Sequence, residues 1–287
     1  MSPVATHSTR PASRAVVLAA GRGRRLRAGA GDAPALSRAQ REAAARGLKG
    51  LVPVAGRPWL GRVLEGLVEA GVREVCLVVG PGTEAVRTRY EHETPAGLRI
   101  AFARQERPRG TADALLAAEP WAGEQPFLLV NADNLYPPDG LRALAALPGA
   151  GVLALDRAAL RAQGGSDLAE ERLAAYALIE TDAAGRLRRI REKPGLAALR
   201  KAAEPVLVGV NAWRFTPAIF VACRAIGPSQ RGELELPAAV QHAVDELGEP
   251  FAVVVSGGPF HDLTEAGDIP SLERRLAAAE PDGRGAR

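Results

Sequence analysis

The sequence predicts an α/β fold in three layers, α/β/α, with a mixed but mainly parallel sheet at its centre. Two observations carry that reading. Short apolar runs alternate along the chain with segments of helical periodicity, the pattern of a parallel sheet covered on both faces. The first run ends at Ala20 and passes straight into a turn with two glycines, and ligand crevices of open α/β sheets lie at such strand ends. With 287 residues, 47% of them hydrophobic, the chain can bury a core of the size this requires.

The runs that read as strands are 15–20, 74–79, 99–103, 127–131, 152–154, 175–180, 187–191, 207–213 and 251–255. Helical periodicity covers 59–70, 84–90, 111–118, 141–146, 217–225, 237–246 and 265–278. The turn at 182–185 joins two strands directly and predicts a hairpin, which makes the sheet mixed. Ser37 reads as the N-cap of a further helix in a stretch, 28–48, that interrupts the motifs described below. That stretch reads as a surface insertion, with a lid over bound phosphates as the other reading. Residues 1–13 and 280–287 read as disordered tails around one domain, 14–279, with no internal repeat and no linker.

Composition narrows the function. A net charge of +4 with arginines spread along the chain, and 4% aromatic residues, argues against nucleic acid and suits small anionic substrates. Cys76 and Cys223 lie in apolar patterns and read as buried thiols, with no histidine at zinc-ligand spacing. No apolar stretch is long enough to span a membrane and the N-terminus has no signal-type apolar segment, so a cytoplasmic protein without membrane contact is expected.

The turn Ala20-Gly21-Arg22-Gly23-Arg24-Arg25-Leu26 carries the most chemistry. Glycine admits φ > 0 and close approach of a ligand to the backbone amides, and such a loop before a helix favours anions. Three guanidinium groups add charge in a geometry that matches phosphate oxygens. Leu26 replaces the third glycine of a dinucleotide fingerprint, and no G-K-[ST] ending of a P-loop follows. Asp133, after the apolar run 127–131, stands at a strand's C-terminal end, where a carboxylate suits Mg²⁺; a helix N-cap is its other reading. Asp262 also follows a strand and has the same two readings.

Seven segments in order resemble the sugar-1-phosphate nucleotidylyltransferases. They are the glycine turn, Lys49-Gly50-Leu51-Val52-Pro53-Val54, Gln105 to Ala114, Phe127 to Asn134, Glu192-Lys193-Pro194, Gly232 to Leu236, and His261-Asp262-Leu263. Ala20 and Arg24 depart from the family's L-A-G-G-x-G-T-R-L. The W-x-D tryptophan is missing before Asp262, and Ala177 stands where the family often has glycine. The resemblance implies a Rossmann-like nucleotidyltransferase fold with nucleotide elements mostly in 14–135 and sugar-phosphate elements mostly in 136–279. It also implies Mg²⁺-dependent transfer from a nucleoside triphosphate, UTP or dTTP favoured, to a sugar 1-phosphate, glucose 1-phosphate favoured.

By the same resemblance, Ala20, Gly21, Gly23 and Arg24 cradle the triphosphate, and Arg25 and Lys49 hold its phosphates at the reacting centre. Gln105, Gly110 and Thr111 face the base, where a glutamine amide can donate to and accept from an imide edge. Lys193 holds the sugar's phosphate, while Ala177, Glu192 and Glu233 line the sugar, with a helix cap the alternative for Glu233. Asp133 and Asp262 would hold the metal. Many relatives are homo-oligomers. Guanylyl, adenylyl or cytidylyl transfer, an amino-sugar or cyclitol phosphate as acceptor, and a non-catalytic sugar-nucleotide binder stay open. A dehydrogenase is disfavoured by Leu26.

Overall fold

The computed structural model describes residues 11–31, 35–162 and 170–279. In chain order the strands are β1 (Arg14–Leu18), β2 (Pro53–Val54), β3 (Arg57–Pro58), β4 (Glu74–Val79), β5 (Arg99–Arg104), β6 (Phe127–Asn131), β7 (Asn134–Leu135), β8 (Gly151–Asp156), β9 (Ala177–Thr181), β10 (Leu187–Arg191), β11 (Leu207–Phe215), β12 (Ala252–Ser256) and β13 (His261–Asp262). Among the described residues these make one nine-stranded sheet and two small ribbons, β2–β3 and β7–β13. The main sheet runs β10-β9-β11-β6-β1-β4-β5, with β8 alongside β11 and β12 outside β8.

β1 pairs in parallel with β4 and β6, β4 with β5, and β8 with β12. β11 is antiparallel to β6, β8 and β9, and β10 is antiparallel to β9. All the strands therefore point one way except β10 and β11, as expected for a mixed, mainly parallel sheet. The 182–185 hairpin is the local cause for β10: the Gly185 amide donates to the Asp182 carbonyl at 3.0 Å. β11 pairs β9 along its first residues and β6 along its last. Its register slips between Gly209 and Trp213, around Asn211 with φ 55°. Asparagine is among the few residues that tolerate that left-handed geometry.

Burial on both faces explains why the strands read as unbroken apolar runs. In β1, Ala15 and Val17 face one core and Val16 the other; in β4, Val75, Leu77 and Val79 oppose Cys76 and Val78. Alternate side chains of a strand point to opposite faces, so one run must serve two cores. The helix Trp59–Glu69 presents Trp59, Leu60, Val63, Leu64 and Leu67 to the first core as one apolar stripe. Each such side chain contributes about 1.5–3 kcal/mol on burial. The second core is aromatic, with Phe127 stacked on Phe220 at 5.7 Å and Trp213 on Phe215 at 5.8 Å.

Three expectations change at their edges. Ala12 is buried and donates its amide to the Ala145 carbonyl, and Ser13 accepts from Arg73 and Glu74, so the packed structure includes 12–13 rather than starting at 14. The tails 1–10 and 280–287 lie outside the described residues. The C-terminal helix is Ile269–Ala279, because 266–268 form a tighter 3-10 turn closed by Asp268. The helix expected after the glycine turn is Arg24–Ala28, whereas the short helices Glu119–Ala122, Arg157–Ala162 and Gly195–Lys201 are not anticipated, since one or two turns carry too little periodicity to be read.

Candidate active site

The C-terminal ends of β1, β4 and β5 meet at one edge of the sheet. A Cβ on Gly80, just past β4, would lie 3.2 Å from the Ala20 Cβ and 3.3 Å from the Gln105 carbonyl oxygen. From this edge the glycine turn enters the five-residue helix Arg24–Ala28, with Gly23 left-handed at φ 54°. Gly23 is also closed in by the chain: a Cβ there would stand 2.4 Å from the Gly47 carbonyl oxygen. Gly21 has open space around its Cα. Arg22, Arg24 and Arg25 are exposed, and none of their side chains has an ion-pair or hydrogen-bond partner among the described residues. The turn thus shows free cationic side chains and one unobstructed glycine.

The stretch 28–48 is built into this edge. The helix Arg38–Ala45 begins with a capping box between Ser37 and Gln40. Gln40 is buried, and its Nε2 donates to the Pro53 carbonyl at 2.9 Å and to Glu273 at 2.8 Å. Gly47 then lies against Arg22 and Gly23, and Lys49 follows two residues later. Residues 32–34 lie outside the described set.

Lys49 reaches across 84 residues of sequence: its Nζ donates to Asp133 Oδ2 at 2.7 Å. Asp133 follows β6, and its carbonyl accepts from the Leu263 amide at 2.9 Å. The β7–β13 ribbon sets Asp262 opposite Asn134, which brings the two aspartates to one place. The Tyr136 hydroxyl, fully buried, is raised in pKa first by that burial and further by both Asp133 and Asp262. Three donors hold Asp262, all by Oδ2: Tyr176 Oη at 2.5 Å, Thr264 Oγ1 at 2.6 Å and Arg172 Nη2 at 3.3 Å. Oδ1 has no partner among the described residues.

Arg172 also grips Asp268, at 2.6 and 3.0 Å, and the Asp262 carbonyl at 2.9 Å. Burial and Asp262 together push the Tyr176 hydroxyl far above its ordinary pKa, so it stays a donor. Arg172, Thr264 and Asp268 were missed by sequence reasoning. Their partners lie far along the chain or in an irregular turn, and no local pattern announces them.

The base-facing candidates form a closed cluster. Gln105 is buried, and its Nε2 donates to the Gly110 carbonyl at 3.0 Å and to Asp113 at 2.8 Å. Both partners can only accept, which fixes the amide's orientation and leaves Oε1 with no partner among the described residues. Gly110, at φ 120°, is pressed against Leu234, whose carbonyl oxygen would be 2.3 Å from a Cβ. The Thr111 hydroxyl accepts from the Leu236 amide at 2.9 Å. Gly110 and Thr111 therefore dock the segment 233–236 as well as following Gln105.

That docking brings Glu235 near Glu192 and Lys193. Glu192 is exposed, and partial desolvation together with the Glu235 charge pushes its carboxyl above the usual range. Lys193 is exposed and takes φ 44°, an uncommon geometry for its residue type. Ala177 is buried in β9, paired with Gly209. His261 adjoins Asp262 but is kept neutral, its pKa lowered to about 4 by burial and by Arg275. Among the described residues no cluster of three or more His, Cys, Asp or Glu could cage a metal.

The fold thus gathers exposed arginines on a glycine turn, a lysine paired with Asp133 just past β6, and Asp262 on β13. Residues 15–206 match the MobA-like NTP transferase domain, and the chain belongs to that family. The chain is 32% identical to the UTP–glucose-1-phosphate uridylyltransferase AglF of Haloferax volcanii over 267 residues, which is 91% of this chain and 96% of that one. It is also 32% identical to a glucose-1-phosphate thymidylyltransferase of Streptomyces antibioticus, over 79% of this chain, but spans only 60% of that relative's length.

Among solved structures, a UDP-glucose pyrophosphorylase complexed with UDP-glucose superposes with a TM-score of 0.69 over 93% of this chain and 98% of its own. The inositol-1-phosphate CTP transferase from T. maritima gives 0.70 over 96% and 99%. Both are 18% identical in sequence and bear out the fold. No helix among the described residues is long and apolar enough to cross a membrane.

Proposed function

We propose that the chain transfers a nucleotidyl group from UTP or dTTP to a sugar 1-phosphate, glucose 1-phosphate first among them, releasing pyrophosphate. The observation that carries this is the meeting of Lys49, Asp133 and Asp262 beside a glycine turn whose arginines have no partners among the described residues. The reactions named for AglF and for the Streptomyces enzyme supply the substrates.

In this reading an oxygen of the sugar's phosphate attacks the α-phosphorus in line. The new oxygen–phosphorus bond forms as the bond to the β-phosphate oxygen breaks, and the electron pair leaves with pyrophosphate. Two anions must meet, so positioning and charge neutralisation do most of the work. Gly21, Gly23 and the Ala20 strand end lie under the triphosphate. Arg25, Arg24 and Lys49 offset its charge and that of the leaving pyrophosphate. Lys193 holds the sugar's phosphate, and Glu192, with Glu233 and the Ala177 backbone, faces the sugar hydroxyls.

Asp133 and Asp262 are hard oxygen donors, and the unpartnered Oδ1 of Asp262 fits Mg²⁺, which takes one or two protein carboxylates and keeps places for phosphate and water. Bound there, it would supply positive charge at the phosphate oxygens.

Gln105 supports the choice of base. With Nε2 committed to Gly110 and Asp113, Oε1 is left to accept. The imide N–H of uracil or thymine can donate to it, whereas the corresponding ring nitrogens of cytosine and adenine are acceptors.

The test is pyrophosphate release with Mg²⁺ over UTP, dTTP, GTP, ATP and CTP crossed with a panel of sugar 1-phosphates. Release only with both substrates present, and faster with UTP or dTTP than with CTP or ATP, is the expected result. Nucleotide binding with no release from any pair would instead favour a sugar-nucleotide binder.

A further inference from the structure

Glu273, on the helix Ile269–Ala279, is a carboxylate that serves neutral donors. Its Oε1 accepts from Gln40 Nε2 at 2.8 Å and from the Ala55 amide at 3.2 Å. One oxygen thereby joins the helix Arg38–Ala45 to the turn between β2 and β3. Gln40 is buried, and its whole amide is committed. Oε1 accepts from the Ser37 amide at 2.8 Å, and Nε2 also donates to the Pro53 carbonyl at 2.9 Å. With both N–H groups and the oxygen engaged, the amide has one orientation. Ala55 takes φ 48°, uncommon without glycine, and Glu273 holds that amide in place.

The two ends of this linkage are fixed differently. The helix that carries Glu273 is pinned at its start, where Asp268 accepts the Thr264 and Glu265 amides at 2.8 Å and pairs with Arg172 at 2.6 Å. The helix that carries Gln40 leads to the candidate site. It ends at Arg46, and Gly47, at φ 72°, packs on the Arg22 carbonyl and Gly23. The Lys49 amide donates to the Gly47 carbonyl at 3.0 Å, and its Nζ reaches Asp133.

We propose that Glu273 and Gln40 are a positioning pair for the triphosphate. They fix how the helix Arg38–Ala45 sits, and so where Gly47 holds the glycine turn and where Lys49 starts. This inference rests on the function proposed above. Neither residue belongs to the turn, and the effect is carried by the intervening helix. Without the pair, the phosphate-facing groups spread over many positions, and a displacement of about 1 Å is enough to weaken a preorganised site. The sugar 1-phosphate is held by Lys193 and Glu192, on a separate segment, so its binding should not follow.

The experiment is pyrophosphate release by the full chain, with UTP and glucose 1-phosphate varied in turn, beside calorimetric UTP binding and the thermal melt. Glu273→Ala should raise the UTP KM and Kd about tenfold, the worth of one or two hydrogen bonds. The glucose-1-phosphate KM should stay within about twofold of wild type. Glu273→Gln keeps an accepting oxygen in the same place and should behave like wild type. Glu273→Asp keeps the charge but withdraws the oxygen by one methylene, and should resemble Glu273→Ala. It decides the matter if Glu273→Ala loses its cooperative melt. Gln40→Ala should also raise the UTP KM, and adding Glu273→Ala to it should do little more, because the two act as one unit.

Unchanged UTP KM and Kd in both alanine variants overturns the inference, even if their melts fall. Equal rises in both KM values, or loss of UTP affinity in Glu273→Gln, overturns it too. No pyrophosphate release by the wild-type chain with any substrate pair overturns the transferase reading instead, and the UTP affinities still decide the positioning pair. No UTP binding at all overturns both.

Discussion

At the residue scale the site depends on a few short contacts whose loss has distinct consequences. Asp133→Asn keeps the shape but not the charge, and an amide cannot neutralise a cation. Pyrophosphate release should fall at least about a hundredfold while the thermal melt moves by only a few degrees; near-normal Mg²⁺-dependent turnover would remove Asp133 from its proposed role.

Asp113 offers a finer test. It is buried and takes Gln105 and Arg109, at 2.8 and 2.6 Å. Asp113→Asn could donate as well as accept, so the Gln105 amide would no longer be held one way round. Discrimination of UTP against CTP should drop about tenfold, the worth of roughly one hydrogen bond. Unchanged discrimination would show that Oε1 of Gln105 does not read the base. Lys193→Ala should raise the sugar-phosphate KM while leaving triphosphate binding in place; collapse of triphosphate affinity would exchange its role with that of Lys49.

At the element scale, the helix Arg38–Ala45 decides how the glycine turn is held. The stretch 28–48 is a strut: Gln40 ties it to Pro53 and Glu273, and Gly47 abuts Gly23. Ser37→Ala removes one half of the capping box and should cost about 1 kcal/mol of stability in a denaturant titration. Gly23→Ala should do more, because φ 54° is strained for alanine and the new Cβ would collide with the Gly47 carbonyl. A loss of about 2 kcal/mol or more, with triphosphate binding weakened at least tenfold, is expected. Normal nucleotide binding in Gly23→Ala would mean that the turn's shape does not matter to the phosphates.

At the scale of the whole molecule, one sheet with a core on each face explains both its stability and its chemistry. Cys76 in β4 and Cys223 in the helix Ala218–Ala225 lie in the second core, and burial pushes both thiols up to about 12. Native protein at pH 8 should therefore react with a thiol reagent only on the timescale of unfolding, and release both equivalents at once in denaturant. Fast reaction of either thiol in the native state would contradict the packing of that face.

Much of this was legible in the chain. The apolar runs were strands because burial on both faces demands them, the hairpin at 182–185 was written in its turn residues, and Ser37 announced its helix. The glycine turn, Lys49, Asp133 and Glu192-Lys193-Pro194 were marked by short motifs whose members are neighbours in sequence.

Helix ends and the one- or two-turn helices were not legible, since their limits depend on tertiary hydrogen bonds such as those of Asp268. By itself the sequence determined the fold class, the glycine turn and the identity of most candidate residues, because period, turn chemistry and residue type act over a few positions. Only the tertiary structure decided that Lys49 meets Asp133 across 84 residues and that Arg172 and Tyr176 hold Asp262. It also decided that Gln105 has one free oxygen rather than a whole amide. Those pairings depend on which strand ends converge, and convergence is a property of the folded sheet that no local stretch of chain encodes.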